Sequence, residues 1–285
     1  MNSLTEQLCH SLSAIPEQEV SVQGARLIHH VWSHFPRAAQ DDFSSVSAPA
    51  PTGLTATGTF ARNLPVETAA FNNAFRFATE HCAGKSSQKR VAVEQICWSV
   101  PVFSATALAE ARGLNCQGLC YAVGLGIEAY SRLVASLASS TTQKGFEPHV
   151  LAATFAAIVA CGTVEGLPPN KVAQALGLGG SAITAVTAGY LPVQAAMAAR
   201  DGIVMVLLVT CGFRAPPDAL ACRWGIYETF ADPTDISSLD LGSHRTVGED
   251  SLQSVFGSSA ESDHKLYSLG GSIPVQKFLV DVFRS

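Results

Sequence analysis

The chain has 285 residues, 47% of them hydrophobic and only 14% charged, with a formal net charge of −5. That length can bury a sizeable core, and an acidic balance without a basic cluster argues against nucleic acid as a partner. A surface so poor in charge predicts either an oligomer, here a homodimer, or a deep apolar cleft.

The N-terminus, MNSLTEQLCHSL, lacks a basic start followed by an apolar block, so no signal peptide is expected and the protein reads as cytoplasmic. Residues 20–35, VSVQGARLIHHVWSHF, follow Ile15-Pro16-Glu17, where proline suits the first turn of a helix. Residues 44–60 are rich in Ser, Pro, Gly and Thr and predict a loop. Helical periodicity returns over 65–82 and over 104–113, the latter ending on Gly113 as a C-cap. A long helix is expected over 115–140, with Gly124 and Gly126 inside it.

Further helices are expected over 149–166, 168–186, 192–212 and 216–231. No run sustains strand alternation, so the fold class is all-α, with residues 1–231 forming one helical domain. From about 232 the composition turns to Ser, Asp and Gly. Residues 232–285 are expected to be a surface segment and a C-terminal crossover, PVQKFLVDVF (274–283), packing on the same domain. The most apolar runs, 151–162 and 202–213, fall short of the roughly 20 residues a bilayer span needs, so no membrane span is expected.

The eight cysteines form no C-x-x-C pair and mostly sit in apolar runs, so they read as buried reduced thiols. His30 and His34 lie four apart on one helix face, but no third ligand at helical spacing supports a metal. A solvated face explains them better, and no metal or cofactor is expected. Gly177-Leu178-Gly179-Gly180 neither follows a strand nor precedes a Lys-Ser/Thr pair, so helix packing explains it better than phosphate binding.

Several stretches occur in the order and spacing of one family. AAFNNA (69–74) resembles A-A-F-x-N-G. GIEAYSRL (126–133) resembles G-x-E-x-x-x-R-L. GFEPHVLAATFAAIVACGTVEGL (145–167) resembles G-F-H-P-T followed by an alanine-rich helix, and LPVQAAMAARDG (191–202) resembles K-x-L-H-x-G-x-A-A-x-x-G. The chain thus resembles the MmgE/PrpD family, which includes 2-methylcitrate dehydratase and cis-aconitate decarboxylase. The resemblance implies a large helical domain. It also implies an α+β lid domain that is not apparent in this sequence, with Lys265 matching a lysine near the crossover.

The departures bear on chemistry. Where the family pattern has histidine, aspartate or lysine, this chain has Ala78, His81, Ala83, Ile96, Glu147, Leu191 and Gln194. Small di- and tricarboxylates need fixed positive charge, so loss of these cations predicts loss of the inherited reaction. Glu147 has two readings that stay open. It lines a cleft, or it is a helix N-terminal acid with His149 on the surface.

The expected function is therefore a repurposed enzyme that isomerises or cyclises a largely apolar metabolite in specialised metabolism, for example by an intramolecular Diels–Alder reaction. Its expected catalytic residues are Glu147, His81 and Gln194. The expected pocket residues are Asn73, Ala78, Trp98, His149, Tyr190, Leu191 and Lys265. Two alternatives stand beside it: a dehydratase or decarboxylase with substituted acid–base residues, and a non-catalytic helical scaffold subunit.

Overall fold

The computed structural model describes residues 3–35, 55–57, 63–83, 89–183, 185–216, 218–241 and 275. In chain order the helices are α1 (Leu4–Ser13), α2 (Glu17–Ser33), α3 (Val66–Ala83), α4 (Lys89–Arg112), α5 (Cys116–Gln143), α6 (Pro148–Val164), α7 (Pro169–Gly179), α8 (Leu191–Thr210) and α9 (Ile226–Phe230). A 3₁₀ turn, Pro233–Ser238, follows α9. Two three-residue strands, β1 (Thr55–Thr57) and β2 (Asn63–Pro65), pair antiparallel. The all-α expectation holds.

The axis of the molecule is α6. All of its residues except Thr163 are buried, as befits a helix that is apolar on every face. It packs against α4, α5, α7 and α8, while α2 covers α5 and α3 covers α4 and α8. Small residues set these approaches. A Cβ on Gly24 of α2 would lie 1.9 Å from the Cys120 carbonyl oxygen, and one on Gly124 of α5 would lie 2.1 Å from the Val20 carbonyl oxygen. The pairing of 20 with 124 and of 24 with 120 makes this crossing antiparallel, with the two backbones in direct contact.

Helix α5 carries a fully buried ion pair, Arg132 Nε to Glu128 Oε1 at 2.8 Å. The Arg132 guanidinium also donates to Ser11 Oγ and to the Asp240 carbonyl, at 2.9 and 3.1 Å. One side chain thus joins α1, α5 and the segment after the 3₁₀ turn. Asp218 ties the other end of α1, accepting from the Leu4 amide at 3.0 Å and the Thr5 hydroxyl at 2.8 Å.

Several expected boundaries shift. The helix expected over 104–113 begins at Lys89 and runs through Pro101. Proline removes one hydrogen bond of the ladder, but Val100, Val102 and Phe103 are fully buried, and packing holds the helix together. The stretch 168–186 is helical only to Gly179, and the described residues 180–183 and 185–190 lie in a loop whose Val186 bridges to Phe146. In 216–231 only Ile226–Phe230 is α-helical, because Trp224 adopts a left-handed φ of 64° that a helix cannot continue through. Helix α1 was not expected at all. It is fixed by a capping box between Ser3 and Glu6.

All eight cysteines are free, and five are buried. Helix α8 is long and apolar enough to cross a membrane, yet 56% of its most apolar window is buried inside the protein, which suits a core helix. Beyond Leu241 only Val275 is described, and it is buried. Lys265, most of the 44–60 loop and most of the C-terminal segment lie outside the described residues.

Candidate functional site

The N-terminal ends of α6 and α8 lie at the same end of the molecule. The Glu147 amide, just before α6, donates to the Ala185 carbonyl at 2.7 Å, and the Thr187 amide donates to the Gly145 carbonyl at 3.1 Å. From α8, the Gln194 side-chain amide donates to the Val186 carbonyl at 2.9 Å. Residues 185–187 therefore splice the two helix starts together. Farther along, Gly202 of α8 rests on Ala157 of α6, so the helices run parallel and both present the positive ends of their dipoles here.

Glu147 is the N-cap of α6. Its carboxylate accepts from the His149 amide at 3.3 Å, and Pro148 occupies the first helical position. The capping reading of Glu147 is thus correct, but His149 is not a surface residue: only 9% of it is exposed. Its Nδ1 lies 2.6 Å from the Tyr130 hydroxyl of α5, and its Nε2 lies 3.7 Å from Glu94 Oε1 of α4. Trp98 packs edge-on to Tyr130 with ring centroids 6.3 Å apart.

The electrostatics of this cluster are acidic. Burial raises the Tyr130 phenol well above its ordinary value, with the Cys97 thiol and the carboxylates of Glu94 and Glu147 adding to the effect. Burial likewise raises Cys97, reinforced by Glu147 and Glu94. Among the described residues, the charged neighbours acting on these two groups include no cation. Tyr130 and Cys97 therefore stay protonated, and a carboxylate brought here meets two others.

Next to the cluster lies an apolar rim. Val186 and Tyr190 are 52% and 60% exposed, Val193 is 40% exposed, and Leu191 is half-buried. Trp98 is buried behind Tyr130. Asn73 and Ala78 are buried on α3, the helix that covers α4 and α8, so neither offers open surface.

His81 belongs to a different cluster. Its Nδ1 donates to the Phe77 carbonyl at 2.8 Å, and its ring stacks on Phe77 at 3.9 Å. Burial lowers its pKa. The charged groups that act on it are His34 and Glu80, and Glu147 is not among them. The fold thus brings Glu147, His149, Trp98, Tyr190, Leu191 and Gln194 to one end, with His81 beside His30 and His34 instead. Glu94, Tyr130 and Cys97 complete the site and were missed by sequence reasoning. Glu94, Cys97 and Trp98 do share one helical face by their spacing, a signal hidden while α4 was expected to start at 104. No group of three or more His, Cys, Asp or Glu side chains among the described residues is arranged to hold a metal ion.

A cavity of about 230 Å³ lies toward the C-terminal end of α6, away from this cluster. Leu12, Tyr121, Leu125, Val159, Thr163 and Val172 line it.

Comparison with known proteins gives one family match. Residues 92–239 match the model of the MmgE/PrpD N-terminal domain. No curated protein matches the chain.

Proposed function

The chain belongs to the MmgE/PrpD family, and from that premise we propose that it is an enzyme whose site has been turned from small carboxylates to a largely apolar, uncharged metabolite, which it isomerises or cyclises. The observation that carries this reading is the company Tyr130 keeps: Glu94, Glu147 and a protonated Cys97, beside an exposed rim of Val186, Tyr190 and Val193. A tricarboxylate would be repelled by the first set and unsolvated by the second.

In this reading the rim holds the substrate in its reactive fold, which itself lowers the barrier. His149 and Glu147 supply polar contacts at the reacting end. Gln194, spent on Val186, acts by fixing the loop rather than by touching substrate. The charge-poor composition, 14% charged residues, favours a homodimer.

The dehydratase or decarboxylase alternative has one observation in its favour, the hydrogen-bonded Tyr130–His149 pair beside Glu94, which can carry a proton. One experiment separates the two. Citrate, methylcitrate and cis-aconitate are offered to the purified protein, in parallel with extracts of neutral polyenes and terpenoids, and products are read by mass spectrometry. The expected result is a mass-neutral product from a neutral compound and no turnover of the acids. Loss of water or carbon dioxide from any of the three acids overturns the proposal.

A further inference from the structure

Protein interiors pack about as densely as organic crystals, and voids wider than a water molecule are few. The cavity of about 230 Å³ near the C-terminal end of α6 departs from that rule. Its walls are firmly built. Gly166 ends α6 in a left-handed turn, φ +63°, and the Leu167 amide doubles back to donate to the Gly162 carbonyl at 2.9 Å. Helix α7 then returns against α6, with Val172 3.0 Å from where a Cβ on Gly162 would lie. Helix α1 packs on α7 and α5 and adds Leu12 to the wall, while the exposed Ser13 marks the open side. Four helices that pack on one another thus hold the space open, and it is preformed.

No charged side chain lines it. Cys9 is raised to about 12 by burial and stays a thiol. The Ser13 and Thr163 hydroxyls each donate to a carbonyl of their own helix, His10 and Val159, both at 2.9 Å, which leaves their oxygens free to accept. Burial raises the Tyr121 phenol, and Glu17 raises it further, so it stays an O–H donor. The Glu17 carboxylate near Tyr121 also disfavours an anion. We propose that this cavity is a binding site for a small uncharged molecule, one apolar ring carrying a hydroxyl, with Tyr121 as the donor to that hydroxyl. An apolar cavity of about 150 Å³ holds a benzene ring, so this one takes a ring with a short substituent. The cavity and the Glu147–His149 end lie about 20 Å apart along α6, and a ligand here does not depend on the reaction proposed above.

The test uses methyl NMR spectra of the full chain with benzyl alcohol, toluene and benzoate as probes. Benzyl alcohol is expected to shift the methyl groups of Leu12, Leu125, Val159 and Val172 saturably, with a dissociation constant on the order of 1 mM. Val186 and Val193 at the far end should not move, and benzoate should shift none of them. Tyr121→Phe is expected to weaken benzyl alcohol about fivefold and to leave toluene unchanged, which separates a lost hydrogen bond from lost packing. The proposal is overturned if benzyl alcohol leaves the cavity methyls unmoved at about ten times that concentration, if benzoate matches it, or if Tyr121→Phe binds benzyl alcohol as wild type does. It is overturned too if the same methyls shift on dilution of the protein without any probe, because the space then belongs to a second copy of the chain. Turnover of citrate-type acids would remove the apolar-substrate reading and leave this site standing.

Discussion

At the scale of single residues, burial decides which acids and bases can titrate. His30, ordinarily near 6.5, is lowered to about 4 by burial, with His34, His81 and His29 adding repulsion. Between those two values the unfolded chain binds a proton that the folded chain refuses. The stability this gives is complete above about pH 6.5 and is lost as the pH falls toward 4. Denaturant midpoints measured from about pH 7 to about pH 4.5 should therefore fall steadily in wild type and less steeply in His30→Leu. Gln194 offers a second check. Replacing it with alanine removes the donor to Val186 and should cost about 1 kcal/mol in chemical denaturation. It should also raise hydrogen exchange at the Glu147 and Thr187 amides. If both are unchanged, the splice between α6 and α8 does not depend on this side chain.

At the scale of elements, close approach and buried charge are the sensitive points. At the α2–α5 crossing, Gly124→Ala puts a methyl group onto the Val20 carbonyl. The helices must separate, and a loss of about 1–3 kcal/mol is expected in thermal unfolding. Gly113, whose added Cβ meets nothing but whose φ is +67°, should lose stability through backbone strain alone. Arg132→Met removes the ion-pair partner of Glu128 inside α5. A loss of about 3–5 kcal/mol is expected, against a smaller one for the double change Glu128→Leu with Arg132→Met. Equal losses would mean that Arg132 matters for its contacts to Ser11 and Asp240 rather than for the pair. This scale also shows what the sequence could convey. The apolar runs of α6 and α8 announced themselves. Pro101 hid the first three turns of α4, and with them the face that carries Glu94, Cys97 and Trp98. The capping box of α1 was present in Ser3 and Glu6 but lacked a long periodic run behind it. Spacing along the chain placed Glu147 at a helix start. Only the fold could show that Tyr130, seventeen positions earlier, reaches the residue two places beyond it.

At the scale of the whole molecule, the acidic end and its greasy rim set which guests are welcome. Citrate should leave the unfolding temperature unchanged at any moderate concentration, while a neutral apolar compound that the protein converts should raise it, as binding to the folded state requires. A rise with citrate would place an unrecognised cation within reach of the site. The central helix adds a constraint of another kind. With every position of α6 but Thr163 enclosed, its middle leaves no space for a larger side chain, and a smaller one opens a void. Innovation in such a protein is pushed to the tips of its helices. There a residue such as Glu147 or His149 can be exchanged while the scaffold behind it stays the same, so the fold can change its chemistry without being rebuilt.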